Sequence, residues 1–373
     1  MKKSILFWFS CWSVLALLFL PFPFVFFPKT GIGLSRFILP LNELICSWFG
    51  VEIRDSFLVS DSLAFYSTGF VLIVLSFLIT VFFHWKGKKY LPAAQKVLFF
   101  TMILFLSCFL IHYGLDKVFG VQFYTPAANT LHTPAGRLGK DILFWTSMGT
   151  SSFYNSFMGI TEIFAGILIL FNRPRFLGLI VSFGILLNIF AINIGFDITV
   201  KYLSGLLLFC CIVCLCFYSS DIRFLLGRVK HKQSAPHLSG RYIFIFFLPF
   251  LLDLFVTYWS IKPKDSGRTY TIESVSGTSQ LINAAEIARV HFHPEGYFIT
   301  ESRQQQFKSF AMKNNGRLVV IDKQPVFISI EGNRLLWKEN ETEIVWNIKE
   351  KDLKKMALKQ DETHWYVEEF IPR

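Results

Sequence analysis

Charge is scarce in this sequence, and acid scarcer still. Only 17% of the 373 residues are charged, and Asp and Glu together number 26 against 37 Lys and Arg. A water-soluble domain carries about 25% charged residues, so an ordinary soluble protein is excluded for most of the length. Cysteine is also sparse, with seven residues and none after Cys216, which excludes a small disulfide scaffold. Missing altogether are a Gly-rich phosphate loop, a Cys-x-x-Cys-His haem attachment site, a His-Glu-x-x-His zinc motif and a nucleophile elbow. No internal repeat or low-complexity tract occurs, so solenoid, collagen and disordered architectures are excluded as well.

Apolar and aromatic residues fill the space. The chain is 53% hydrophobic with 44 Phe, 12 Tyr and 9 Trp, and its mean hydropathy is +0.47. Apolar runs long enough for a hydrocarbon core roughly 30 Å thick recur at 5–27, 62–85, 95–115, 152–171, 176–194, 199–218 and 242–259. The first follows Met1-Lys2-Lys3, but its apolar stretch exceeds that of a secretory signal and no small-residue cleavage site follows, so a retained anchor is expected. Its outer end carries Pro21, Pro23 and Pro28, which predict fraying or a kink.

The basic excess is uneven. From Lys262 onward there are 17 Lys and Arg against 16 Asp and Glu, which leaves 20 against 10 for the first 261 residues. Such an excess marks cytoplasmic helix ends rather than a nucleic-acid surface, so no nucleic-acid partner is expected. Lys2 and Lys3, the run Lys86-Gly87-Lys88-Lys89, Arg173 with Arg175, and Arg223, Arg228, Lys230, Lys232 and Arg241 fall on one side of seven threaded spans. The positive-inside rule makes that side the cytoplasm and puts the C-terminal third outside.

That third is soluble in composition and lacks cysteine. Period-2 stretches at 270–275 and 326–330 read as strands, with Asn314-Asn315-Gly316 and Glu331-Gly332-Asn333 as hairpin turns and one helical turn near 351–358. The expected fold class is thus a membrane all-α bundle of about seven transmembrane helices with a small β-rich extracytoplasmic domain, as a small sheet or open barrel. Its parts are a helix pair at 1–94, a four-helix core at 95–220, a basic cytoplasmic linker and seventh helix at 221–261, and the β-rich domain at 262–373.

An ordered set of short motifs runs through the core. It reads Tyr113-Gly114-x-x-Lys117-Val118-Phe119 with Gln122-Phe123, Trp145-Thr146-x-Met148-Gly149, Ser152-x-Tyr154-x-x-Phe157-x-Gly159-x-x-Glu162, and Asn193-x-x-x-Asp197-x-x-Val200-Lys201. Asp61-Ser62 and the ending from His364-Trp365-Tyr366-Val367 to Pro372-Arg373 extend it. In these positions the chain resembles the DoxX-like family of bacterial integral membrane proteins, in the longer form with extra helices and a soluble C-terminal tail. Some shorter members are associated with quinone-linked oxidation of sulfur compounds or with membrane redox complexes. The resemblance therefore implies a redox-associated protein of the plasma membrane with quinone as a candidate ligand.

Polar residues inside apolar spans carry the functional readings. Glu162 lies about 15 Å into the fourth span at 1.5 Å per residue, near the midplane, where a carboxylate needs a partner or a proton. Asn155, Gly159 and Gly166 share its face, so Glu162 points at a neighbouring helix, either as a proton-titrating group or as a structural hydrogen bond. Asp197 and Lys201 stand four apart at the start of the sixth span, after a small-residue seam of Gly184, Asn188, Ala191 and Gly195 and a second amide, Asn193. They form either a polar pocket for an anionic or quinone-like head group or a plain helix-start ion pair. The connection 116–151 carries Lys117, Gln122, His132, Arg137, Lys140 and Trp145 and is long enough to be a lid. A surface cap anchored by Trp145 and Tyr124 is the alternative.

Other constellations are incomplete. Cys211-x-x-Cys214, with Cys210 and Cys216, lacks the second pair a zinc site needs and reads as small apolar packing. His112 is the single His well inside a span, so bis-His haem is not expected. His291 and His293 share one strand face without further ligands, and Asp253 follows Pro249 in the seventh span. The functional expectation is a non-haem component of a redox pathway that binds a quinone or lipid-like molecule in its helical core. Glu162 would handle the proton, and Lys117, Gln122, Trp145, Tyr154, Asn155, Asn188, Asn193, Asp197 and Lys201 would contribute to binding. No metal is expected. A proton-coupled transporter, or a scaffold that recruits an extracytoplasmic protein partner, is the alternative.

Overall fold

The computed structural model describes residues 2–19, 39–48, 50, 61–225, 236, 240–259, 266–279, 281–313, 318–321, 324–339 and 342–356. The helices are α1 (Lys2–Phe19), α2 (Leu39–Trp48), α3 (Leu63–Trp85), α4 (Leu91–Val118), α5 (Ala128–His132), α6 (Lys140–Gly149), α7 (Ser152–Leu170), α8 (Arg175–Gly195), α9 (Lys201–Cys216), α10 (Ser219–Leu225) and α11 (Gly240–Trp259). The strands are β1 (Arg268–Ser276), β2 (Ile287–His293), β3 (Tyr297–Ser302), β4 (Phe307–Lys313), β5 (Leu318–Ile321), β6 (Gln324–Glu331), β7 (Arg334–Glu339) and β8 (Thr342–Glu350). Two compact units result: Met1–Phe119 with Ser156–Ile261, and Gly120–Asn155 with Lys262–Arg373.

Local chemistry sets the helix ends of the first unit. Ser62 caps α3 by accepting the Phe65 N–H at 3.3 Å, and Pro92 sits in the first turn of α4, where its missing N–H costs nothing. The connection from α7 to α8 is closed by Arg175, which is buried and donates from Nε to Ile169 O at 2.8 Å and from Nη2 to Leu170 O at 2.9 Å. These bonds satisfy carbonyls that the end of α7 would leave bare. Asp61, at φ +60°, accepts the backbone N–H groups of Lys201 and Tyr202 at 2.9 Å each and so fixes the start of α9. Phe99, Met102, Ile103 and Leu106 of α4 form the centre of the core with Leu179 and Leu206.

The helix count corrects the expected fold class. Among the described residues, four helical stretches are long and apolar enough to cross a membrane: Leu63–Trp85, Lys88–Val118, Ser152–Leu170 and Arg175–Gly195. Ser4–Phe19, Lys201–Cys216 and Ile243–Trp259 are apolar but shorter. At 1.5 Å per residue the 16 residues of α9 reach about 24 Å, short of a core about 30 Å thick. The cap from Asp61 begins this helix at Lys201, so the residues from 199 do not lengthen it. Residues 20–27 of the first expected span, residues 226–239 of the basic linker apart from Pro236, and the 314–316 turn lie outside the described residues.

The tail corrects the second half of that fold class. It forms a closed barrel of eight antiparallel strands in sequential order, not a small appended sheet or open barrel. Alternation along the strands puts Leu335 and Trp337 of β7 and Ile344 and Trp346 of β8 inside, where the registers Leu335↔Trp346 and Trp337↔Ile344 make them cross-strand partners. The two indole rings lie 5.5 Å apart. Gly332, at φ +60°, turns β6 into β7, a conformation that suits glycine. Closure depends on β1, which pairs with β2 over 268–271 and with β8 over 270–276, through a bulge between Ile272 and Ser274. Pairing on both sides removes the edge an open sheet would expose.

The stretch 120–155 folds with this barrel. Ala128 N–H donates to Ser266 O at 2.9 Å, Arg137 donates to the carbonyls of Gln304 and Gln305 at 2.7 and 2.9 Å, and the His132 and His291 rings lie 5.3 Å apart.

Candidate functional site

In the helical unit, α4 and α7 meet backbone to backbone. A Cβ on Gly114 would lie 2.6 Å from Gly159 O, and one on Gly159 would collide with Gly114 O and stand 2.8 Å from Val118 Cγ2. Two turns further along, Ser107 Oγ donates to Gly166 O at 2.7 Å. Gly159 and Gly166 flank Glu162 at i−3 and i+4, so the small face recognised in the sequence is the face that admits α4.

The close approach brings Lys117, in the last turn of α4, onto Glu162. Lys117 Nζ lies 2.8 Å from Glu162 Oε2, and the two side chains are 5% and 1% exposed. Lys117 Nζ also reaches Tyr113 O at 3.5 Å. Two ions removed from water cost several kcal/mol each unless they are paired, so this contact offsets part of the cost of burying both groups. The second carboxylate oxygen, Glu162 Oε1, is buried and accepts no hydrogen bond among the described residues.

A second polar group adjoins this pair in sequence. Tyr258 of α11 donates its hydroxyl to Asp116 Oδ1 at 2.6 Å and approaches His112 O at 3.2 Å, and His112 Nε2 stands 3.5 Å from Asp116 Oδ2. The i, i+4 spacing of His112 and Asp116 is visible in the sequence. Nothing in the sequence points to Tyr258, because its partner lies 142 positions away.

The other predicted residues are dispersed. Asn193 donates to Ser204 Oγ at 3.0 Å and ties α8 to α9. Asp197 and Lys201 form an ion pair of 2.7 Å that is 80% and 28% exposed, the geometry of a screened surface pair. Asn188 is exposed on α8, and a Cβ on either Gly184 or Gly195 of the same seam meets nothing within 4 Å. Cys210, Cys211 and Cys214 are buried thiols, and Cys211 Sγ donates to Leu179 O at 3.4 Å. The remaining four belong to the barrel's unit. Asn155 donates to Met148 O at 2.9 Å, Gln122 Oε1 is buried without a donor among the described residues, Trp145 packs on Phe123 at 5.0 Å, and Tyr154 is exposed.

Sequence reasoning missed a buried chain of polar groups at the barrel wall. Thr269 Oγ1 lies 2.9 Å from His291 Nδ1, His291 Nε2 lies 3.1 Å from Glu301 Oε2, and Arg289 pairs with Glu301 Oε1. Burial alone would push Glu301 up, but the hydrogen bonds and charges of His291 and Arg289 hold it below the ordinary carboxylate range. Burial lowers the neighbouring His132, and the charges of His291 and Arg289 add to the shift. Thr269, His291 and Glu301 are each no more than 1% exposed, which makes the chain a tie between β1, β2 and β3.

No protein-family model matches the chain, and no solved structure matches it. A curated relative described as uncharacterized protein YwoB, from Bacillus subtilis (strain 168), is 38% identical over 132 residues, which cover 35% of this chain and 82% of the relative. Coverage of that extent shows kinship, and the chain belongs to the family of YwoB.

Proposed function

We propose that this chain is a non-haem component of a membrane redox pathway that holds a quinone or lipid-like molecule beside Lys117 and Glu162 and handles a proton at Glu162. The observation that carries the reading is Glu162 Oε1, a buried acceptor with no donor among the described residues. Such an atom calls for a hydroxyl or N–H group, and the hydroxyl of a reduced quinone fits it. The ammonium of Lys117 suits a quinone carbonyl, and the resemblance to DoxX-like proteins favours the same ligand class. When bound, a quinone supplies a carrier of two electrons and two protons, and a partner protein supplies the electrons.

The residues of this chain have distinct tasks in that reading. Glu162 takes up or releases a proton at Oε1, while Lys117 compensates the carboxylate through Oε2. His112, Asp116 and Tyr258 offer further exchangeable protons along α4. Gly114 and Gly159 set the helix separation that makes the pair possible.

Charge and connectivity support placement in a bacterial cytoplasmic membrane. Lys86, Lys88 and Lys89 join α3 to α4, and Arg173 joins α7 to α8, so these connections face the cytoplasm. The opposite end of α4 leads into 120–155, which shares a compact unit with the barrel, and the absence from that unit of an apolar helix of membrane-spanning length among the described residues supports its lying on one side of a bilayer. In this reading the barrel is extracytoplasmic, and the start of α1, where Ser4 Oγ lies 2.7 Å from His84 Nε2 at the end of α3, is on the cytoplasmic side with Lys2 and Lys3.

Extraction in mild detergent, followed by mass spectrometry of bound lipids and quinones, tests the ligand. The wild type should retain a stoichiometric quinone that Glu162→Gln and Lys117→Met lose by about tenfold or more, since each removes an interaction with a charged group. Equal retention by the folded variants, or no quinone in any sample, contradicts the reading.

A further inference from the structure

A second site lies in the barrel's unit and stands independently of the reading above. A cavity of about 260 Å³ is lined by Tyr124, Thr130, Asp141, Trp145, Thr146 and His293 together with small apolar side chains. Asp141, in the first turn of α6, is its one carboxylate, and no hydrogen bond or ion pair reaches that carboxylate among the described residues. Gly139 leaves room for it, because a Cβ there would stand 2.6 Å from Asp141 Oδ1. The Trp145 and Tyr124 rings lie 6.5 Å apart at 37° to one another, and Phe123 packs on Trp145 at 5.0 Å and holds it in place.

We propose that this cavity binds an organic ammonium group. Two aromatic faces and one carboxylate without a counter-ion are the recognition elements for such a cation, which ring faces attract. A neutral polyol would leave the carboxylate without a counter-charge, and a hard divalent metal ion requires more oxygen ligands than one carboxylate and the three hydroxyls of Tyr124, Thr130 and Thr146 supply. The volume is below the range of drug-sized pockets, about 300–1,000 Å³, and suits a head group rather than a large ligand. The same ammonium chemistry belongs to free small amines and to choline- or ethanolamine-type lipid head groups.

The test uses the full-length protein in a maltoside detergent, titrated calorimetrically with tetramethylammonium chloride and with ethanolammonium chloride, and with sodium chloride as the ionic-strength control. Saturable binding of at least one organic cation is expected. It should weaken about tenfold in Asp141→Asn and about fivefold in Trp145→Leu, with melting curves confirming that both variants fold. If Trp145→Leu does not fold, Tyr124→Leu replaces it. Absence of saturable binding, binding equal to that of sodium, or binding unchanged in both variants overturns the proposal. Nanodiscs assign the source. Weaker tetramethylammonium binding in phosphatidylcholine than in phosphatidylglycerol discs supports a lipid head group, and equal binding supports a free amine.

Discussion

Lys117 Nζ and Glu162 Oε2 stand 2.8 Å apart at a glycine-lined crossing of α4 and α7, both almost wholly buried. Removal of either partner strands the other charge in an apolar interior. Lys117→Met alone or Glu162→Met alone should destabilise the protein by about 3–5 kcal/mol. The double variant should recover most of that loss, because it leaves no uncompensated ion. A double-mutant cycle on melting temperatures in detergent checks this, and additive losses would show that the two groups do not couple.

The crossing itself is equally sensitive. Gly159→Ala puts a methyl group against Gly114 O and Val118, both backbone-anchored, and should cost about 1–3 kcal/mol through overpacking. Gly184→Ala, where a Cβ meets open space, should leave stability unchanged to within about 0.5 kcal/mol. Paired melting curves compare the two.

Asp61→Ala removes both acceptors at the start of α9 and should cost about 0.5–2 kcal/mol. Asp61→Asn should lose less, since Asn tolerates positive φ and keeps one oxygen. Hydrogen exchange of the Lys201 and Tyr202 amides should quicken in Asp61→Ala ahead of the rest of the helix.

Acidification should loosen the barrel in two stages. Both His132 and Glu301 have folded values below their unfolded ones, so both contributions are complete above the unfolded value and are lost as pH falls through the folded one. The His132 contribution declines first, below the ordinary histidine value of 6.5, and the Glu301 contribution follows below 4.5. Hydrogen exchange in β1 to β3 as a function of pH should show both stages. His132→Phe should remove the upper stage alone.

The Glu162 face was legible because helical spacing alone sets Gly159 and Gly166 beside it. Its partner was not, because Lys117 ends a span 45 positions earlier and reads as a loop cation. The seam around Asn188 had the same small-residue pattern as the Glu162 face yet stays exposed, since composition marks a surface that permits close approach without naming a neighbour. Strand alternation around Trp337 and Trp346 was equally legible. Closure rests on the bulge that lets β1 serve two neighbours, and the docking of 120–155 on the barrel rests on backbone bonds such as Ala128 to Ser266. Neither leaves a mark in residue type.

The central claim is that Glu162 exchanges a proton when a quinone is reduced in the helical unit. Infrared difference spectra of the purified protein, recorded between oxidised and reduced added quinone, observe that carboxyl directly. A carboxylic-acid carbonyl band that changes with quinone state in the wild type and is absent from folded Glu162→Gln is the predicted result. A band that persists in Glu162→Gln, or no carboxyl signal in the wild type with quinone bound, would contradict the account.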